Sequence, residues 1–125
     1  SIFSGKEILV YNQGDMERDF TYIDDVVNAV IKMIKIVPNN SSSSSRDDIY
    51  NVGSGNPIKL KKFINILENK IGIKARKKFI DMQPGDVKAT YASIHKINSK
   101  INYLPKVDIE KGIENFIKWY KQYYL

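Results

Sequence analysis

The segment GDMERDFTYIDD, residues 14–25, places five carboxylates around a single arginine, Arg18. The acids are Asp15, Glu17, Asp19, Asp24 and Asp25. A guanidinium is a rigid fork of donors that suits phosphate, and a carboxylate beside it can hold it in one orientation. In an exposed loop, ion pairs with adjacent acids would each contribute less than about 1 kcal/mol. Arg18 therefore either neutralises its neighbours or grips an anion, and we favour the second interpretation.

Three other patterns suggest chemistry more weakly. The glycines of VGSGNP, residues 52–57, lie between a predicted strand and a predicted helix, where a loop can cradle phosphate. However, Ile58 replaces the third glycine of a dinucleotide fingerprint, so we favour a plain turn. His95 lies off the apolar side of its predicted helix and is expected at the surface. The run ARKK, residues 75–78, would suit a phosphodiester backbone, but no aromatic residue is interleaved to stack bases, which favours a solvated strand.

Composition excludes several classes of function. The 125 residues include no cysteine, which excludes disulfides, thiolate zinc sites and cysteine nucleophiles, and one histidine, which argues against a histidine metal site. The net charge of +6 favours anionic partners in general. No apolar run approaches the roughly 20 residues of a membrane span, and the first residues lack the pattern of a signal peptide. We therefore expect one soluble, cytoplasmic unit, or part of a larger one, that binds no metal and no membrane.

The first half of the chain predicts two strands and one helix around a polar loop. EILVY, residues 7–11, is short and β-prone. From Ile23, apolar residues recur every three or four positions, at 26, 27, 30, 31, 34 and 37, which indicates a helix. Asp24 and Asp25 would cap its first turn. PNNSSSSSRDD, residues 38–48, is a low-complexity surface loop. IYNVGSG, residues 49–55, reads as a second strand that runs into a turn.

The second half predicts three helices and one strand. A helix follows Pro57 and stops at Gly72, with an apolar side of Leu60, Phe63, Ile64, Leu67 and Ile71. KARKKFI, residues 74–80, is expected as an exposed edge strand. Ser93 would cap a short helix that buries Ile97 and Ile101. The last helix would turn Ile109, Ile113, Phe116, Ile117 and Tyr120 inward. Three short strands and four helices indicate an α/β fold with too few strands for a complete doubly wound sheet.

Four segments in order carry a family resemblance: residues 5–30, 49–60, 82–93 (MQPGDVKATYAS) and 112–124 (GIENFIKWYKQYY). Together they resemble the C-terminal part of extended short-chain dehydrogenase/reductase enzymes, the NAD-dependent epimerases and dehydratases with a Rossmann-type fold. The greatest similarity is to the UDP-glucuronate 4-epimerases of capsule and surface polysaccharide synthesis. The resemblance implies that residues 1–125 form one nucleotide-sugar-binding region, without the N-terminal half that binds NAD.

The resemblance also implies a substrate site made of Leu9, Tyr11, Arg18, Gln83, Asp86 and Thr90. The backbone at Leu9 and the ring of Tyr11 would contact the uracil. Arg18 matches the family arginine that binds the diphosphate, and Asp86 matches an acid that accepts hydrogen bonds from the ribose.

Two further positions of this site depart from or vary within the family. Gln83 replaces a second phosphate-binding arginine of some relatives, so that contact would be uncharged or absent. Thr90 stands where some members place a residue near the sugar.

The catalytic motifs of the family are missing from this sequence. No tyrosine is followed four residues later by lysine, and the glycine fingerprint for NAD does not occur. The resemblance therefore implies that the chain alone neither holds NAD nor epimerises a sugar, and that a separate N-terminal half would be its partner. Two alternatives stay open: a small basic nucleic-acid-binding module, or an inert remnant of a split epimerase or dehydratase gene.

Overall fold

A computed structural model describes residues 1–37 and 48–125. In chain order, the strands are β1 (Glu7–Val10), β2 (Glu17–Arg18), β3 (Ile58–Lys59) and β4 (Arg76–Phe79). The helices are α1 (Ile23–Ile34), α2 (Leu60–Ile71), α3 (His95–Ile101) and α4 (Ile109–Tyr124), and a 3-10 turn covers Tyr11–Gly14. All four predicted helices are confirmed, as are the first and third predicted strands. The predicted loop 38–48 lies outside the described residues except for Asp48.

Two small sheets support the fold. β1 pairs with β4 in parallel, with Leu9 opposite Lys78, and β4 is mostly exposed as its lysines predicted. β2 pairs with β3 in antiparallel fashion. On its other side, β2 binds the segment 88–90, because the Glu17 amide donates to the Lys88 carbonyl at 2.9 Å and the Thr90 amide donates to the Glu17 carbonyl at 3.2 Å. β2 is therefore held from both sides.

The predicted strand at residues 49–55 is wrong, since this segment has no regular secondary structure. Its side chains nevertheless alternate: Tyr50 and Val52 are half-buried against a core cluster, whereas Ile49 and Asn51 are exposed. Strand assignment needs a ladder partner as well as an alternating pattern. Residues 1–37 and 48–125 supply no such partner to this segment.

Two apolar clusters form the core. The first joins α1 to α3 through Ala29, Ile97, Ile101 and Tyr103, and the second joins α2 to α4 through Ile66, Ile113 and Ile117. The buried Ile66 was not among the predicted inward residues of α2. In α4, Phe116 is 51% exposed, which corrects its predicted inward position.

The glycine stop of α2 is confirmed, and Asp24 and Asp25 lie in the first turn of α1 as expected, but two predicted caps are not formed. Gly72 ends α2 in the left-handed region, at φ 80°, as expected of a glycine stop. Asp25 does not cap its own helix. Its buried carboxylate accepts hydrogen bonds from the amides of Lys106 and Val107 at 3.0 and 3.1 Å, and so ties α1 to the loop before α4. Ser93 makes no cap either, because α3 begins two residues later.

His95 is exposed, as expected. None of the helices in the described ranges is long and apolar enough to cross a bilayer.

Candidate functional site

The guanidinium of Arg18 is held by three acceptors at the end of β2. Nη1 donates to the carbonyl of Glu17 at 2.8 Å and to that of Lys88 at 3.3 Å, and Nη2 donates to Oδ1 of Asp86 at 2.7 Å. The Arg18 side chain is 25% exposed. A guanidinium carries five N–H groups, so two remain without a partner among the residues that the structure describes. Arg18 is thus oriented and still able to bind a further acceptor.

The acid that orients Arg18 is Asp86, which lies 68 positions further along the chain. In the described ranges, no carboxylate of residues 14–25 forms an ion pair with Arg18. Asp86 sits in the turn after Pro84, where its amide donates to the Gln83 carbonyl at 3.1 Å. Its Oδ1 also accepts from the Val87 amide at 2.8 Å. Oδ2 has no hydrogen-bond donor within residues 1–37 and 48–125, so one oxygen is left to accept from a ligand.

Asp15 belongs to a different ion pair. Its Oδ2 lies 2.9 Å from Nζ of Lys88, and both side chains are 69% exposed. The hydrogen bond to this lysine lowers the pKa of Asp15 and raises the pKa of Lys88. Because both groups are solvated, the pair contributes little to stability. Lys88 thus binds Asp15 through its side chain and Arg18 through its backbone carbonyl.

Asp19 organises the glycine loop. Oδ1 accepts from the Ser54 amide at 2.9 Å and the Ser54 hydroxyl at 2.5 Å, and Oδ2 accepts from the amides of Gly55 and Ala92 at 3.0 Å each. Burial alone would raise the pKa of Asp19, but these hydrogen bonds outweigh it and lower the pKa. The loop amides that would cradle a phosphate are therefore used internally. This geometry agrees with the predicted plain turn and does not fit a dinucleotide.

Thr90 lies next to this group, and Gln83 lies in the adjoining turn. Oγ1 of Thr90 accepts from the Asp19 amide at 3.2 Å, directly after Arg18. Gln83 is exposed, three residues before Asp86. The structure therefore gathers four of the six residues that the sequence indicated, from segments far apart in the chain.

Leu9 and Tyr11 stand apart from those four residues. Leu9 is 52% exposed on β1, and Tyr11 opens the 3-10 turn that leads to β2. Within the described ranges, no hydrogen bond joins either residue to Arg18 or Asp86. Directly after Tyr11, Asn12 and Gln13 adopt left-handed conformations at φ 48° and 53°. The Asn12 side chain donates to the Asp15 carbonyl at 2.8 Å and steadies this turn.

Sequence reasoning missed the roles of Asp19 and Lys88. Both act through partners more than thirty positions away, and no local spacing signals such contacts. The described residues contain no group of acids and histidine suited to a metal ion. The basic strand β4 is also less available to a polyanion than its sequence suggested, because Lys77 is paired with the buried Glu68 at 2.5 Å.

Comparison with known proteins assigns the family and the fold class of this chain. The family model described as GDP-mannose 4,6 dehydratase matches residues 1–116. The chain belongs to this family of extended short-chain epimerases and dehydratases, and it corresponds to the C-terminal region of their Rossmann-type fold.

Several relatives within this family are similar to nearly the whole chain. Protein CapI of Staphylococcus aureus is 38% identical over 99% of this chain and 40% of its own length. A probable UDP-glucuronate 4-epimerase of Rhizobium meliloti is 31% identical, again over 99% of this chain and 40% of its own length. The crystal structure of UDP-glucuronic acid 4-epimerase from Bacillus cereus, in complex with UDP-glucuronic acid and NAD, superposes with a TM-score of 0.83. It is 27% identical and matches 98% of this chain and 37% of that structure. The chain thus spans about two fifths of the relatives' length.

Proposed function

We propose that this chain is the UDP-sugar-binding part of an NAD-dependent nucleotide-sugar 4-epimerase that acts on UDP-glucuronate. Synthesis of surface polysaccharide is the setting that the family resemblance implies. The observation that carries the proposal is the Arg18–Asp86 pair, held at 2.7 Å with two guanidinium N–H groups and one carboxylate oxygen left for a ligand. This pair occurs in a chain similar to UDP-glucuronate 4-epimerases.

The chemistry of UDP suits this pair of groups. In UDP the ribose is bonded to the diphosphate, so one ligand carries both phosphate oxygens and ribose hydroxyls. The two N–H groups of Arg18 would bind the diphosphate. Oδ2 of Asp86 would accept from the ribose hydroxyls. The arginine also offsets the charge of Asp86, which would otherwise repel the phosphate.

The remaining site residues receive lesser roles in this proposal. Leu9 and Tyr11 would border the uracil, Thr90 would lie near the hexose, and Gln83 would give at most an uncharged contact. NAD and the tyrosine that exchanges a proton with the 4-hydroxyl would come from a part of the family fold that this chain does not span. The residues present do not fit NAD, because Asp19 occupies the amides of the glycine loop.

A chimaeric enzyme allows a direct test. In it, this chain replaces the matching 37% of the Bacillus cereus epimerase, so the NAD-binding part is supplied by a relative. We expect the chimaera to bind UDP and to convert UDP-glucuronate to UDP-galacturonate. Turnover of dTDP-sugars or GDP-sugars alone would contradict the substrate assignment. Salt-dependent binding to DNA without any binding to UDP would instead favour the nucleic-acid module.

The Arg18→Lys substitution tests the arginine. It keeps the charge but loses the fork, and we expect UDP binding to weaken by roughly 1 kcal/mol or more, about fivefold in Kd. Arg76→Lys is the matched control, since Arg76 is an exposed arginine on β4 and the same change should leave Kd unaltered. If the parent and Arg18→Lys bound UDP with equal affinity, Arg18 would serve only as a structural ion-pair partner of Asp86.

The Asp86→Asn substitution tests the ribose contact. The parent chimaera should prefer UDP to its 2′-deoxy analogue, because the analogue lacks one of the two vicinal ribose hydroxyls from which Oδ2 would accept. Isothermal titration with both ligands should show that Asp86→Asn loses most of this preference. A preference that survives the substitution would place the ribose elsewhere.

A further inference from the structure

Lys88 lies on a short extended segment that pairs with β2. Glu17 and Ala89 form a parallel bridge between the two segments. In this bridge the Glu17 amide donates to the carbonyl of residue 88, and the amide of residue 90 donates to the Glu17 carbonyl. Side chains alternate between the two sides of paired strands, and directly opposed residues share a side. Arg18 on one segment and Lys88 and Thr90 on the other therefore project to the same side.

The neighbours of Lys88 already have roles in the proposed function. Asp86, two residues earlier, would contact the ribose, and Thr90, two residues later, would lie near the hexose. In a UDP-sugar the diphosphate joins the ribose to the hexose. A side chain at position 88, between the ribose contact and the hexose contact, is therefore expected opposite the diphosphate.

The charge of the ligand calls for a further cation at this place. Arg18 supplies one positive charge, but Asp86, whose Oδ1 lies 2.7 Å from Nη2 of Arg18, carries an equal negative charge. A diphosphate carries more than one negative charge at neutral pH, and hydrogen bonds between ionised groups are the strongest that such a site can form. Gln83 in the same turn is uncharged. Lys88 is the sole basic residue between positions 81 and 94.

The ammonium of Lys88 is accessible and held by a weak partner. Its Nζ lies 2.9 Å from Oδ2 of Asp15, and both side chains are 69% exposed. A solvated ion pair contributes little to stability, so its exchange for a phosphate oxygen costs little. Asp15 would keep cationic neighbours after the exchange, since Lys59 and Lys61 also lower its pKa. Within residues 1–37 and 48–125, Lys88 forms no ion pair with another carboxylate.

We propose that Lys88 is a second cationic ligand of the diphosphate in this chain. When a UDP-sugar binds, the Lys88 ammonium leaves the Asp15 carboxylate and donates to a phosphate oxygen. Arg18 offers donors in a fixed geometry, whereas Lys88 brings a compact charge on a flexible stem. The inference rests on the proposed function, because it assigns a further residue to the same UDP site.

Isothermal titration with the chimaera described above measures the contribution of Lys88. We expect Lys88→Met to raise the Kd for UDP about fivefold. The Kd for uridine should not change, because uridine carries no phosphate. Lys88→Arg keeps the charge and should bind UDP within about twofold of the parent. Lys118→Met is the matched control, since Lys118 is 65% exposed and pairs with Glu114 at 2.8 Å; it should leave the Kd for UDP unaltered.

Asp15→Asn distinguishes a ligand from a structural ion pair. This substitution removes the carboxylate that holds Lys88, so it should lower the Kd for UDP, whereas Lys88→Met raises it. In the Lys88→Met background, Asp15→Asn should change the Kd much less, because no ammonium is left to release. If the pair serves only to join the two segments, both substitutions should raise the Kd alike, and that result would overturn the proposal. Should Lys88→Met not fold, a Kd for Asp15→Asn that is unchanged or higher than that of the parent contradicts it.

The outcomes also separate this inference from the proposed function. A parent chimaera that does not bind UDP would refute the proposed function, and the role of Lys88 would fail with it. A parent that binds UDP with the same Kd as Lys88→Met would refute the role of Lys88 alone. If Lys88→Met weakens the binding of UDP-glucuronate but not of UDP, the ammonium contacts the uronate carboxylate, and its assignment to the diphosphate is wrong.

Discussion

Replacing Asp19 with asparagine should be among the most damaging single changes in this chain. The carboxylate is the shared acceptor for four donors on two segments, namely the amides of Ser54, Gly55 and Ala92 and the Ser54 hydroxyl. Asparagine keeps the shape of the side chain but offers one oxygen in place of two. Its amide group would then point N–H donors at the two N–H groups that Oδ2 now binds.

The magnitude follows from those lost contacts. If the asparagine oxygen keeps the Ser54 donors, the amides of Gly55 and Ala92 lose their acceptor. Leaving a buried donor unsatisfied costs roughly 1–3 kcal/mol, and this site is half-buried, so water recovers part of the loss. We therefore expect Asp19→Asn to lower the free energy of unfolding by about 2–4 kcal/mol. The substitution also removes the charge of Asp19, whose contribution to the free energy of unfolding depends on pH.

The pH dependence has a definite sign. Hydrogen bonding lowers the pKa of Asp19 in the folded chain below its ordinary value of 3.8. A carboxyl with a depressed folded pKa stabilises above its unfolded pKa, and this contribution is lost as the pH falls through the folded value. The stability gap between parent and Asp19→Asn should therefore be full at pH 7 and narrow below about pH 4.

Urea denaturation followed by circular dichroism, at pH 7 and at pH 3, measures both effects. Asp24→Asn is the matched control, since Asp24 is an exposed aspartate at the start of α1. Losing its favourable interaction with the helix dipole should cost less than about 1 kcal/mol. If Asp19→Asn costs no more than Asp24→Asn, or if the gap is the same at both pH values, the reasoning about the loop is wrong.

Three further stability measurements test the packing. Glu68→Gln should lower the unfolding free energy by roughly 1–3 kcal/mol at pH 7, because the buried carboxylate loses its ion pair with Lys77. The pKa of Glu68 is lowered to about 2 in the folded chain, so the difference in stability from the parent should shrink as the pH falls from 4.5 toward 2. A difference that does not change with pH would contradict this. Tyr103→Phe removes the buried hydrogen bond to the Gly53 carbonyl at 2.9 Å and should lower the unfolding free energy by about 1–2 kcal/mol in urea titrations. An unchanged unfolding free energy would show that water replaces the tyrosine hydroxyl at this carbonyl. Gly53→Ala should lower the melting temperature by several degrees, because its Cβ would lie 2.3 Å from that of Ala92, and an unchanged value would mean that the loop yields easily.

The helices were the most predictable part of this fold because their signals are local. Apolar spacing indicated α1, and the glycine at position 72 indicated the end of α2, where a left-handed conformation suits a residue without Cβ. The strand at 49–55 was mispredicted for a non-local reason. Its pattern is that of a strand, but a strand also needs a partner, and the described residues provide none.

The acidic segment around Arg18 also combines features that local sequence predicts with contacts that depend on distant segments. Its sequence indicated that a carboxylate would orient the arginine, and the family resemblance indicated which residues would bind the substrate. The identity of the orienting acid depends on the turn at 83–86 folding back against β2, a contact across 68 positions. Asp25 likewise binds the loop before α4 and not its own helix.

Sequence alone determined the order and type of the helices, the absence of cysteine chemistry and the family to which the chain belongs, because periodicity, composition and motif order are properties of the chain itself. Only the tertiary structure decided which acid holds Arg18, that Asp19 occupies the glycine loop, and that α1 leaves an apolar side uncovered. These outcomes depend on which distant segments approach each other, and that is settled by burial and hydrogen bonding throughout the fold. For this reason the apolar spacing was enough to predict α1, but only the structure showed that part of its apolar surface is exposed.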